Sequence, residues 1–119
     1  MSYVVGSKVK EFNKKKGCNT AGDFVDALNK MVEWHLDQAC KQANVNGRKT
    51  VRSSDVIVGM KGKDSYVVMS KVKEFNKKKD FNTAGDLGEG LNAVIEWYLD
   101  MAAKRAKSNG RKTVRGDDL

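Results

Sequence analysis

The 119-residue chain carries 23 Lys and Arg against 15 Asp and Glu, for a net charge of +8, with 39% hydrophobic residues, 32% charged residues and no proline. That much charge excludes a membrane protein, and the apolar residues are too regularly placed for a disordered one. No apolar run exceeds Tyr66–Met69, too short to cross a bilayer or form a secretory core.

The two cysteines, Cys18 and Cys40, make no disulfide framework, so a reducing, cytoplasmic setting is expected. The positive balance points to a polyanionic partner. Self-similarity dominates the rest of the reading. Ser2–Val56 aligns with Ser65–Leu119 without a gap at an offset of 63, with 36 of 55 positions identical. The expected organisation is copy one over 1–59, a joint at 60–64 and copy two over 65–119. A unit this small buries too little surface by itself, so the copies are expected to complete each other's core as one compact unit.

In chain order, each copy opens with Tyr-Val-Val, a β-prone piece that is either a strand or a hydrophobic anchor. Ser7 and Ser70 stand where N-caps belong, ahead of a short helix with Val9 and Phe12 on one face. The Lys14–Lys16 run suits that helix's C-terminal end. Gly17 stops it in copy one, where copy two has Asp80. Thr20 is expected to cap a second helix with Asp23 at its third position.

Ala21, Phe24, Leu28, Met31, Val32, His35, Ala39 and Ala43 then recur at helical spacing. In copy two the stripe is Ala84, Leu87, Leu91, Val94, Ile95, Tyr98, Ala102 and Ala106. This helix is expected to run about 25 residues, roughly 37 Å, to the Asn46-Gly47 stop. Arg48–Arg52 reads as extended, and Ser53-Ser54-Asp55 as the cap of a last short helix through Val58. The economical packing crosses the two long helices and flanks each with short helices of the other copy.

This order, with Asn46-Gly47-Arg48-Lys49-Thr50-Val51-Arg52-x-x-Asp55 and its repeat Asn109-Gly110-Arg111-Lys112-Thr113-Val114-Arg115-x-x-Asp118, resembles the histone fold of the short archaeal and bacterial histones. The Ser-Lys-Val-Lys opening and the Asn-Thr before the long helix resemble the bacterial branch. The resemblance implies an all-α histone fold repeated twice in one chain, closed as an intramolecular handshake pseudodimer that binds duplex DNA through loops and first helices. It also implies that Lys49, Thr50, Lys112 and Thr113 approach phosphates, while Arg48–Asp55 and Arg111–Asp118 are ion pairs shaping the loops. Because copy two ends at Leu119, its last helix is expected to be almost absent. The absence of long tails argues against tail-mediated compaction.

The chemistry agrees with a backbone-directed DNA binder. Neutralising phosphates releases condensed cations. The helix starts at Ser7 and Ser70 offer free N–H groups and a positive dipole end, with Lys8, Lys10, Lys71 and Lys73 adding full charges. The loops add Arg48, Lys49, Arg52, Arg111, Lys112 and Arg115, with Thr50 and Thr113 hydroxyls as neutral donors. None of these needs a base edge, so contacts should position the protein without reading sequence. The Lys14–Lys16 and Lys77–Lys79 runs read equally well as solvated faces.

No enzyme is expected: one histidine and no nucleophile–base pair leave no catalytic set. No cofactor or metal is expected either, since His35, Cys18 and Cys40 lack ligand spacing and copy two has Tyr98, Phe81 and Ala103 in their places. His35 is read as a helix-interface residue whose charge changes near neutrality. Gly85, Gly88 and Gly90 are either a weak helical turn or a close helix crossing. Trp34 and Trp97 either close a core edge or anchor self-association of pseudodimers. The expected role is nucleoid-associated, sequence-independent DNA organisation. The rival is a histone-fold module for assembling with other proteins, because a fold alone does not settle function.

Overall fold

A computed structural model describes residues 3–56 and 66–119. The joint at 60–64 and the end of copy one through Val58 lie outside the described residues.

The Tyr-Val-Val pieces meet each other. Val4 and Val67, equivalent positions of the two halves, form an antiparallel bridge. Val5 N–H donates to Tyr66 O at 2.6 Å and Val68 N–H to Tyr3 O at 2.7 Å. This bridge holds Val5 and Val68 extended, so helix begins directly after them. Helix α1 is Gly6–Lys15 and its counterpart α3 is Met69–Lys78, with Val5 and Val68 at the cap positions and no side-chain cap. Ser7 and Ser70 are therefore second helical residues rather than N-caps.

After α1 come β1 (Asn19–Thr20), α2 (Phe24–Val45), β2 (Thr50–Val51) and a 3₁₀ turn at Ser53–Asp55. After α3 the order repeats as β3 (Asn82–Thr83), α4 (Leu87–Ser108), β4 (Thr113–Val114) and a 3₁₀ turn at Gly116–Asp118. Among the described residues the two 3₁₀ turns have equal length; the continuation of copy one's last helix, against which copy two was expected to fall short, lies outside them. The long helices start later than expected and have 22 residues each. Thr20 sits in β1 and its Oγ1 accepts a 2.8 Å bond from Asn13 Nδ2. Asp23 takes the cap position of α2 instead.

Every strand pair joins the two halves: β1 runs parallel to β4, and β2 parallel to β3. The helices interleave likewise, with α1 against α4, α3 against α2, and α2 against α4. The aromatic pairs Tyr3–Phe75 (6.1 Å) and Phe12–Tyr66 (6.3 Å) cross between halves. So do the ion pairs Lys16–Asp100 at 3.5 Å and Lys79–Asp37 at 3.8 Å.

The core stripe of α2 differs from the expected one: Leu36 and Cys40 join it, while Ala21, Met31 and His35 are only half-buried. Phe24, Leu28, Val32, Leu36, Ala39, Cys40 and Ala43 are buried along α2, and Leu99 takes the place of Leu36 in α4. His35 meets its equivalent Tyr98 edge-on at 5.8 Å, where the long helices touch. The sequence offered no signal for Asn13 and Asn76, which are fully buried inside lysine-rich segments. Their Nδ2 atoms each donate at 2.8 Å, to Thr20 and Thr83. A Cβ on Gly88 would lie 2.8 Å from Sδ of the flexible Met69 side chain.

Gly17 has φ +77° and Asp80, at the same place in copy two, φ +67°. The left-handed region costs an L-residue about 1 kcal/mol, partly offset for glycine by its larger unfolded-state entropy. Asp80→Gly is expected to stabilise the chain by about 0.5 kcal/mol, read as an upward shift of roughly 2–4 °C in a thermal melt.

Candidate nucleic-acid interface

The basic loops are shaped by how the long helices end. Gly47 and Gly110, with φ +70° and +71°, turn the chain in the left-handed region. Gly47 N–H donates to Asn44 O at 3.0 Å and Arg48 N–H to Ala43 O at 2.9 Å; Gly110 and Arg111 do the same onto Lys107 and Ala106. This double closure satisfies the last helical carbonyls and throws the next residues back along the helix end.

The guanidinium that follows locks the loop. Arg48 Nη1 donates to Thr50 O and Asp55 Oδ2, each at 2.9 Å, and Nη2 donates to Asp55 Oδ1 at 2.5 Å. Arg111 repeats the set on Thr113 O and Asp118 at 2.7–3.0 Å. The same carboxylates accept the Arg52 and Arg115 N–H groups at 2.8 Å. The Asp55 and Asp118 side chains are 1% and 3% exposed. The guanidinium bonds hold both carboxyls below the usual aspartate value, and the aspartates in turn raise Arg48 and Arg111.

With Arg48 and Arg111 engaged, the exposed loop cations are Lys49, Arg52, Lys112 and Arg115. Among the described residues Lys49, Lys112 and Arg52 form no ion pair, while Arg115 approaches the exposed Asp117 at 3.4 Å. Thr50 and Thr113 are half-buried beside them.

Each loop is held by the opposite half. Asn82 N–H donates to Lys49 O at 2.7 Å and Ala84 N–H to Val51 O at 2.8 Å; Asn19 and Ala21 donate to Lys112 O and Val114 O at 2.6 and 2.9 Å. Lys49 therefore lies beside the segment following Lys77–Lys79, and Lys112 beside the one following Lys14–Lys16. In those runs Lys16 and Lys79 are tied to Asp100 and Asp37, a structural use that the sequence left open.

Further basic residues stand at the starts of α1 and α3, which leave the antiparallel Val4–Val67 bridge on either side. Val5 O takes the amides of Lys8 and Val9, and Val68 O those of Lys71 and Val72. Among the described residues, the first-turn N–H groups of Gly6, Ser7, Met69 and Ser70 have no backbone partner. Lys10 and Lys73 are exposed there. Lys8 and Lys71 touch Glu11 and Glu74 only at 4.0 and 3.9 Å, weak exposed pairs. The structure thus places the sequence-predicted residues on the two loops and at the two helix starts, and engages Arg48 and Arg111 in the ion pairs.

Other candidates are placed elsewhere. His35 Nε2 is buried without a hydrogen-bond partner among the described residues, and burial lowers its pKa. Burial pushes the Cys40 thiol up to about 11, which makes it a poor nucleophile. Among the described residues there is no group of three His, Cys, Asp or Glu able to hold a metal, and no helix long and apolar enough to cross a membrane. Trp34 and Trp97 are 58% and 52% exposed and so do not close the core. They pack edge-on against His35 and Tyr98 at 5.0 and 5.1 Å.

The sequence matches no protein-family model and no curated protein. The fold, however, matches that of the histone from Methanopyrus kandleri over 97% of this chain and 89% of that one, with a TM-score of 0.69 at 18% identity. A crystal structure of a Thermus thermophilus protein matches over 97% of this chain and 90% of its own, with a TM-score of 0.62 at 14% identity. At these identities the likeness is one of fold: this mostly helical chain has the fold of a histone.

Proposed function

We propose that this chain is a tandem histone, a single-chain pseudodimer that binds double-stranded DNA without regard to sequence and organises it in the nucleoid. Residues 1–59 and 65–119 are its two histone-fold copies and 60–64 their joint. The observation that carries this reading is the pair of loops. Each is locked by a buried Arg–Asp bridge and bonded to the opposite half, so that Lys49 and Lys112 project at matching sites.

Lys49, Thr50, Arg52, Lys112, Thr113 and Arg115 contact phosphates at the two loop clusters. Ser7, Lys8, Lys10, Ser70, Lys71 and Lys73 do so where α1 and α3 start. Arg48 and Arg111 act through Asp55 and Asp118 by holding loop shape. The role is non-enzymatic and needs no cofactor.

Titration of unrelated duplexes over a salt series tests this. Equal affinity for all sequences is expected. The slope of log affinity on log salt approaches roughly −7 if Lys8, Lys10, Lys49, Arg52, Lys71, Lys73, Lys112 and Arg115 all meet phosphates. Binding that ignores salt, or that singles out one sequence, rules the reading out.

A second reading has the histone fold assembling with proteins, either a second pseudodimer or another partner. The exposure of Trp34 and Trp97 favours it. The two readings separate in Trp34→Ala/Trp97→Ala, which leaves DNA retention intact under the first and abolishes assembly under the second.

A further inference from the structure

The two copies are not interchangeable where they touch, and the differences fall in matched pairs. The 3₁₀ turn of each half packs against the first turns of the other half's long helix, its leading N–H bonded to that helix's cap aspartate. Ser53 N–H donates to Asp86 Oδ1 and Gly116 N–H to Asp23 Oδ1, both at 3.1 Å. At one seam Ser53 faces Gly90. At the other Gly116 faces Ala27.

Both seams have room for one Cβ. A Cβ built on Gly90 would lie 3.2 Å from Ser53 Cβ and 3.2 Å from Ser53 Cα, and closer still to Ser53 Oγ. A Cβ built on Gly116 would lie 3.0 Å from Asp23 Oδ2 and 3.2 Å from Ala27 Cβ. Carbon atoms rest at about 3.5–4.0 Å, so two opposed Cβ atoms overpack either seam. The cap aspartate alone does not bar a side chain, because Ser53 carries one while its N–H bonds Asp86 as Gly116 N–H bonds Asp23. The residue across the seam adds the second close contact.

We propose that these four residues make the pairing of halves heterotypic: copy one is shaped to accept copy two and to reject another copy one. Copy one against copy one would set Ala27 against Ser53 at both seams, the overpacked combination. Copy two against copy two would set Gly90 against Gly116 at both, leaving each seam empty. Only the mixed pair puts one side chain and one glycine at each. The inference rests on the pseudodimer reading and adds to it a partner rule. Like–like pairing between chains would link them into open-ended strings, and the seams disfavour it by steric mismatch.

Thermal melts of the full chain test the rule. Gly90→Ala with Gly116→Ser gives both seams the copy-one pattern, and the midpoint should fall by about 10 °C or more. Restoring one side chain per seam, with Gly90→Ala plus Ser53→Gly or with Gly116→Ser plus Ala27→Gly, should recover at least half of the loss, the remainder coming from the 3.2 Å contact to the backbone Cα of residue 53 and the 3.0 Å contact to Asp23 Oδ2 that stay in place. The sign is diagnostic, because alanine for glycine inside a helix otherwise raises stability. A Gly90→Ala/Gly116→Ser chain as stable as the parent, or a loss that neither compensating pair recovers, overturns the inference. DNA titration of the unaltered chain reads the proposed function separately, so either can fail without the other.

Discussion

Lys49→Ala combined with Lys112→Ala is expected to weaken duplex binding by roughly 10- to 30-fold near 0.1 M salt and to flatten the salt slope by about 2. Both side chains are exposed and form no ion pair among the described residues, so nothing in the fold depends on their charge. Their positions are set by backbone: the carbonyl of each lysine accepts a hydrogen bond from the opposite half, at 2.7 Å for Lys49 and 2.6 Å for Lys112. Removing the ammonium groups therefore leaves the loop in place, and the melting midpoint should stay within the small range typical of surface substitutions. The loss should be the same for every sequence tried. A loss confined to particular sequences points to base contacts instead. Fluorescence anisotropy at several salt concentrations distinguishes the two.

Asp55→Ala and Asp118→Ala make the opposite trade. Each raises the net charge by one, so long-range attraction to DNA alone would tighten binding. Each also removes a buried carboxylate that takes two guanidinium bonds and one backbone N–H. Stranding those donors is expected to cost about 2–3 kcal/mol per site, discounted for the partly exposed arginine, or about 10 °C in melting midpoint. Binding should weaken as the lysine loses its fixed position, despite the added charge. Tighter binding by these variants would show that the loops need no bracing.

The same bridges set an acid limit. Both aspartates have their pKa lowered from the ordinary 3.8, first by the guanidinium bond. As pH falls, the unfolded chain takes up these protons before the folded chain does. The bridges therefore contribute fully above the unfolded aspartate value, and the contribution drains away as pH drops through it toward the lower folded value. Melting midpoints should hold steady near neutrality and fall below about pH 5, less steeply in the Asp55→Ala/Asp118→Ala chain.

Much of this molecule is visible in its sequence because the message is written twice. Chance periodicity does not recur at a fixed offset, so the helix order, the Asn-Gly stops and the basic loops stand out. The Arg48–Asp55 and Arg111–Asp118 pairs came from a resemblance, and both are bonded in the structure. The errors share one cause. Ser7, Thr20 and Ser70 have the chemistry of caps, yet the Val4–Val67 bridge and the Asn13–Thr20 bond assign those positions to other work. Those partners lie across the fold, beyond the reach of local preference. Asn13 and Asn76 look like solvated residues among lysines until the opposite half covers them.

Helical periodicity, helix stops and the positive charge of the loops are properties of neighbouring residues, and the chain alone determined them. Which half braces which loop, and what Gly90 and Gly116 face, depend on atoms 33 to 93 positions apart meeting in space. Only the closed structure decided those, because close packing is a relation between surfaces that no single segment contains.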